Sequence, residues 1–211
     1  MKKIFLLAAT FLLTMVSSQQ FNYGVTANIH KTSILGVHDY SKGKFGAGFG
    51  VVGEVGLAAT DIGDDYYLFF MPQIEYSMQG ENAENEIGKY GKQKYHHDYI
   101  TTGLNIKYVF HPNNYMSRFF VFGGPRISFL VREKKDVDPA FDLVYDKYNL
   151  DNEVNKVDLG IGVGFGAKID DHFEAFLRYD RGFSKVYPNN DRHHTSNHQL
   201  ALGLNYFINR N

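Results

Sequence analysis

The sequence predicts an all-β fold in which eight antiparallel strands close into an up-and-down transmembrane barrel. Three observations favour it. Apolar residues recur with period two along most of the chain, and short and long connections between the strand candidates alternate. One face of almost every strand candidate carries no charge, whereas the other carries charges of both signs. At 211 residues the chain is long enough for one such domain with a substantial core.

The N-terminus has the three parts of a secretory signal peptide. Lys2 and Lys3 precede an apolar run, Ile4 to Val16, and small or polar residues follow it. We therefore assign residues 1–19 to a signal peptide, cleaved at about Ser18 or Gln20, and residues 20–211 to the barrel domain. No later stretch approaches the length of a transmembrane helix, so a membrane protein with this sequence must cross the bilayer with strands.

Each strand candidate alternates apolar and polar residues. The eight candidates cover residues 21–29, 47–57, 67–78, 100–110, 119–132, 157–169, 173–180 and 199–208. Pro72 and Pro125 cannot donate to a ladder, so we expect bulges or local irregularity there.

The connections between candidates alternate in length. Tight turns are predicted at residues 61–64, 111–114 and 170–171, and long polar links at 31–45, 80–96, 133–156 and 185–197. Outer-membrane barrels have short periplasmic turns and long outer loops, so both termini are expected on the periplasmic side.

The two strand faces differ enough to predict which one meets lipid. A soluble, lipocalin-like barrel would turn its apolar face inward, but export and the charge distribution favour an apolar face toward lipid. The charged residues predicted to point inward are Glu54, Glu75, Lys107, Arg126, Asp158, Lys168, Glu174, Arg178 and Asp180. The aromatic girdles predicted at the two interfaces are Tyr66, Tyr108, Phe110, Phe119 and Tyr206 at one end, and Tyr76, Tyr179 and Phe183 at the other.

Three segments resemble a known group of barrels. They are the mature start from Gln20 to Val25, the segment from Pro72 to Ser77, and the close from Leu202 to Phe207. The chain resembles outer-membrane β-barrel proteins of the PorT-like group, whose namesake is linked to a secretion system. The resemblance implies the fold and the location, and it transfers no functional residues. The usual barrel ends on an aromatic residue, whereas here four residues follow Phe207, so Phe207 or Tyr206 would have to serve as the assembly signal.

No catalytic, cofactor-binding or metal-binding residue is predicted. The run from Gly160 to Gly166 lacks the following helix that a phosphate-binding loop needs, since a turn at Asp170 comes next. Cysteine is absent, which excludes disulfides, thiolate metal sites and a cysteine nucleophile. A net charge of -1 gives no electrostatic argument for nucleic-acid binding.

Two alternatives remain open at the outer rim. Histidines border the first and last long links and could form a metal site, although solvated loop histidines are the simpler interpretation: His30, His38, His193, His194 and His198. A rim enzyme acting on lipid could use Ser184 or Ser196 with His193 or His198.

The sequence as a whole favours a non-enzymatic barrel in the cell outer membrane, without a cofactor. Its outer loops would bind a ligand, or its body would join an envelope or secretion assembly; a purely structural barrel is the alternative. The expected surroundings are outer-membrane lipid and, for an assembly role, a protein partner, with the barrel itself monomeric. The inward charges are expected to form one connected network that leaves no passage for solutes.

Overall fold

The computed structural model describes residues 20–36, 41–60, 66–84, 92–110, 118–136, 154–188 and 194–210. Eight antiparallel strands form a closed barrel in chain order, with β8 pairing back onto β1. The strands are β1 (Phe21–Leu35), β2 (Ser41–Ala59), β3 (Tyr66–Glu84), β4 (Lys92–Val109), β5 (Phe119–Asp136), β6 (Val157–Lys168), β7 (Phe173–Gly182) and β8 (Ser196–Phe207). The predicted fold class is confirmed. The described part of the chain contains no helix with the length and hydropathy of a membrane span.

Several sequence predictions lie outside the described residues. These are the signal peptide over residues 1–19 and the tight turns at 61–64 and 111–114. The turn at 170–171 is described, and the Asp170 carboxylate accepts hydrogen bonds from the backbone N–H groups of His172 and Phe173 at 2.8 and 2.7 Å. This Asx-type contact fixes the reversal between β6 and β7.

The predicted long links are wrong in extent, because much of their length is strand. β1 continues to Leu35, β3 to Glu84 and β5 to Asp136, and the β3–β4 and β4–β5 ladders extend with them. Backbone pairing between strands does not require apolar side chains. The strands can therefore stay paired beyond the point where their outward side chains stop being apolar. We call residues 41–44, 79–84, 92–98 and 132–136, which project beyond the exposed apolar residues of these strands, the outer wall.

The apolar strand faces point outward, as predicted. Ile29 is 64% exposed and Leu202 56%, whereas Glu75 is fully buried. From Ile100 on β4 to Phe110 directly after it, ten residue steps of about 3.3 Å tilted by about 40° span about 25 Å, which matches the apolar band of outer-membrane barrels. We call this exposed band the apolar belt.

The predicted girdle residues face outward, with the exception of Tyr66. Its ring packs against the buried interior cluster, 6.1 Å from the Phe69 ring, and a Cβ at Gly56 would lie 2.3 Å from it. Register shifts between β2 and β3 at Ala58 turn Tyr66 inward, which a strict period-two reading cannot anticipate.

The two strand prolines interrupt ladders without shifting them. The β2–β3 pairing skips Pro72 and the β4–β5 pairing skips Pro125, yet the register is the same on either side. The expected irregularity is therefore present, but the bulges lie elsewhere, including one at Asp98 and Tyr99.

Candidate functional site

An ion cluster fills the half of the lumen nearest the short turns, the end that the sequence predicts to be periplasmic. The Lys107 Nζ donates to Glu174 at 2.6 Å and also to Glu54, and all three side chains are fully buried. Arg210 closes the cluster from beyond β8, donating to Glu54 at 3.1 Å and to Glu174 at 2.6 Å. The Lys107 Nζ also lies 4.1 Å from the centroid of the Phe120 ring. We call this set the periplasmic cluster.

A second ion cluster occupies the middle of the barrel. Arg178 donates to Glu75 at 3.1 Å and to Asp180 at 2.8 Å. Arg126 lies 3.4 Å from Asp180 and 4.0 Å from Glu75, and Asn28 donates to Glu75 at 3.0 Å. We call this set the central cluster. The side chains predicted to point inward do so, but their ion pairs form two groups and not the single connected network expected.

Aromatic residues pack around the periplasmic cluster. The interior apolar residues are Val52, Phe69, Met71, Val109, Phe120, Phe122, Phe176 and Phe207. Two β6 glycines make room for this layer: a Cβ at Gly164 would lie 2.4 Å from the Phe122 ring, and one at Gly166 would lie 2.4 Å from the Phe120 ring. At Gly162 the corresponding space is taken by Asp180 and Arg126.

A small polar cavity of about 30 Å³ lies inside the barrel, next to the central cluster and on its side toward the outer mouth. Four buried lining atoms have no hydrogen-bond partner among the described residues: Arg126 Nη1, Asp158 Oδ1, Asp180 Oδ1 and Gln199 Nε2. A cavity of this size and polarity has room for water, since a single molecule needs roughly 10–15 Å³. The cavity is too small to serve as a solute passage, and its mixed charges favour hydration over binding of a lone ion.

A short segment folds across the outer mouth of the barrel. Val186 and Tyr187 are buried, and they pack with Ile34 and Val154. The Tyr187 hydroxyl donates to Glu81 at 3.3 Å, on the opposite side of the barrel from the segment's own strands. We call residues 183–188 the mouth cap. The sequence placed Lys185 to Asn197 in a solvated link, so this closure was missed.

His97 lies under the mouth cap, on β4 beyond the apolar belt. Its side chain is 1% exposed, its ring is 6.2 Å from the Tyr187 ring, and neither ring nitrogen has a hydrogen-bond partner. Burial, with smaller contributions from the Lys44 and Lys135 charges, lowers the pKa of His97 to about 4.

Acidification should destabilise the cap through His97. The unfolded chain takes up this proton near pH 6.5 and the folded chain only near pH 4, so stability falls as pH drops through that interval. The expected loss is about 3 kcal/mol below pH 4. Denaturant unfolding followed by circular dichroism in detergent, at pH 7.5, 5.5 and 4, measures it. His97→Leu should flatten the dependence between pH 6.5 and 4, and an unchanged slope in that variant would contradict the assignment.

The described histidines do not assemble a metal site. His30 is buried in the lumen, where it contacts Asn28 at 2.7 Å and the Met78 carbonyl at 2.9 Å. His198 contacts Tyr179 on the outer surface, so β1 and β8 place the two rings on opposite faces. Among the described residues no group of three or more His, Asp or Glu could hold a metal ion. His38 and His193 lie outside the described residues.

One of the two candidate serines meets a histidine. Ser196 Oγ lies 3.2 Å from His198 Nε2, whereas Ser184 Oγ accepts a hydrogen bond from the Leu159 N–H at 3.0 Å. Residues two apart on one strand share a face, so the pleat alone brings Ser196 and His198 together. The contact is accounted for by strand geometry and does not by itself indicate a nucleophile.

A model of a protein family described as outer membrane protein beta-barrel domain matches residues 17–187. The chain belongs to this family. This membership and the closed barrel place the protein in the outer membrane, with its apolar belt in lipid. No curated protein matches the sequence.

Solved structures of small outer-membrane barrels are similar in outline. They include Neisserial surface protein A, at 10% identity and a TM-score of 0.49, covering 87% of this chain and 96% of that one. Ail of Yersinia pestis, solved in complex with the heparin analogue sucrose octasulfate, has 11% identity and a TM-score of 0.47. The match covers 90% of this chain and 99% of Ail. OprG of Pseudomonas aeruginosa has 11% identity and a TM-score of 0.40, and the match covers 89% of this chain and 94% of OprG.

Proposed function

We propose that this protein is a closed, non-conducting and non-enzymatic barrel that acts through its outer end, where it binds a ligand or an envelope partner. The observation that carries the proposal is the filled lumen. The periplasmic cluster with its surrounding aromatic residues, the central cluster and the mouth cap together fill the interior. An eight-stranded barrel is only wide enough for its own side chains, so function must reside on its surface.

The outer wall favours a binding role over a purely structural one. A barrel that only stabilised the membrane would need strands as long as the lipid is thick, and β6, β7 and β8 have 12, 10 and 12 residues. β2 and β3 each have 19 residues and β4 and β5 each have 18, so their pairing continues beyond the apolar belt. Ordered backbone that projects from a membrane offers a rigid surface to a partner. The resemblance to the PorT-like group adds an envelope or secretion assembly as the setting for that partner.

Conductance measurements test the closed lumen. The purified, refolded barrel in planar bilayers should show no stable channel, because opening one would expose buried charges that now satisfy each other. Heat-modifiable migration of the same sample on gels confirms that the protein tested is folded. Steady ion conductance from the folded wild-type protein would overturn the proposal and favour a pore.

Pull-down from detergent-solubilised membranes tests the binding role. A bound partner should be recovered with the wild-type barrel and lost after charge reversal on the outer wall. Charge reversal at Arg118, which lies at the periplasmic end and donates to the Ile169 carbonyl at 2.7 Å, provides the control. Equal recovery with both variants would remove the outer wall from the proposal.

A further inference from the structure

The outward face of the outer wall carries a cluster of cationic side chains. Strand register places Lys94 beside Asp136, His96 beside Lys134, and Asp98 beside Arg132 on β4 and β5. Lys44 reaches this face from β2, donating through Nζ to the Gln79 carbonyl at 2.9 Å and to His96 Nδ1 at 2.8 Å. We call these seven residues the basic face. With four cations and two anions it has a net charge of +2 when His96 is neutral.

The backbones of β3 and β4 approach each other closely in the basic face. Gly80 has φ of +130° and lies directly opposite His96, and a Cβ at Gly80 would clash with the Tyr95 carbonyl oxygen. The Lys44 Nζ lies alongside, also donating to the Tyr95 carbonyl at 3.3 Å. The ammonium group is thus held over the sheet by backbone oxygens. Beside it, Lys134 and Arg132 remain open to solvent, with side chains 54% and 62% exposed.

The basic face begins where the apolar belt ends. Asp98 accepts a hydrogen bond from the Tyr76 hydroxyl at 2.7 Å and lies 3.6 Å from Arg132, two residues above the lipid-exposed Ile100. His96 is four residues above Ile100, which at about 3.3 Å per residue and about 40° of tilt places it about 10 Å beyond the apolar belt. This is the level of lipid headgroups.

We propose that the basic face binds the phosphate groups of a phosphorylated outer-leaflet lipid while the apolar belt beneath it holds the acyl chains. Lys and Arg are the side chains that recognise phosphate, through charge and through paired N–H donors. Exposed Met78, Ile100 and Val131 continue directly below the cations, so one lipid can satisfy both surfaces. That continuity favours a lipid over free phosphate. The inference deepens the proposed function, since it names a ligand for the outer end.

Lipid titration of the refolded mature barrel in detergent tests this inference. Native mass spectrometry should show diphosphorylated lipid A bound at least tenfold more tightly than the same lipid dephosphorylated, and inorganic phosphate alone should not compete at equal concentration. Lys134→Gln should weaken binding about fivefold, since one Lys near a charged membrane surface contributes about that factor, and Lys94→Gln with Lys134→Gln should weaken it further.

Lys135→Gln is the matched control. It removes the same charge from the next residue of β5, but Lys135 lies opposite Tyr95 and 3.6 Å from Glu133, on the other face of the wall. It should change lipid affinity less than twofold. Equal loss in Lys134→Gln and Lys135→Gln, or equal affinity for both lipids, would overturn the proposal. Full competition by inorganic phosphate would replace the lipid with free phosphate. These outcomes are independent of the conductance test, so a failure here leaves the closed barrel intact.

Discussion

Arg178→Ala should lower the free energy of unfolding by about 3–5 kcal/mol, because it removes one member of a buried ionic group. The guanidinium is fully buried and donates to Glu75 and Asp180, so its loss leaves Arg126 as the remaining arginine of the central cluster, 4.0 Å from Glu75 and 3.4 Å from Asp180. Equilibrium urea unfolding in lipid vesicles, followed by circular dichroism, measures the change.

Lys134→Ala and Lys135→Ala are the controls for this prediction. The sequence placed both lysines in a solvated loop, whereas the structure places them in β5, but their side chains are 54% and 33% exposed. Exposed pairs contribute about 0–1 kcal/mol, so neither change should approach the effect of Arg178→Ala. Equal shifts for the buried and the exposed variants would show that the central cluster does not stabilise the fold. Arg178→Lys should give an intermediate loss, since it keeps the charge but not the two-sided donation.

The sequence could predict which residues enter the lumen but not which of them meet. Period two assigns Lys107, Glu54 and Glu174 to one face of their strands without reference to any neighbour. Their meeting depends on register and shear around the barrel, because β2, β4 and β7 are not adjacent. Arg210 lies beyond the last strand, where no periodicity exists, so nothing in the pattern marks it as a partner of Glu174.

The outer end was predicted least well, for a related reason. Lipid imposes the alternation of apolar and polar residues, so the pattern fades where the chain leaves the bilayer even though the β3–β4 ladder continues to Glu84 and Lys92. The mouth cap has no repeating pattern, and its buried residue Tyr187 lies near the start of a polar link. Its burial follows from the barrel mouth beneath it, which exists only after all eight strands have closed.

Leu202→Arg should cost about 2–4 kcal/mol of unfolding free energy in a lipid bilayer, the range for a cation placed near the membrane midplane on a barrel surface. Leu202 lies on the outward face of β8, is 56% exposed, and has lipid-facing Leu200 and Leu204 on either side along the strand. No anionic side chain is paired with it across the ladder, since its partners are Ile29 and Leu177. Ile161→Arg on β6 should act in the same direction.

The opposite face of the strands supplies the contrast that makes this prediction specific. Gly162→Leu adds volume inside the barrel, where a Cβ would already lie 2.5 Å from Asp180 and 2.9 Å from Arg126, so overpacking should cost about 1–3 kcal/mol in bilayer and detergent alike. The cost of Leu202→Arg should instead depend on the lipid, because it arises from desolvation of the new charge and shrinks where detergent lets water reach the side chain. Refolding both variants in vesicles and in micelles separates the two mechanisms. A harmless Leu202→Arg in vesicles would mean that the lipid-facing and lumen-facing surfaces are reversed.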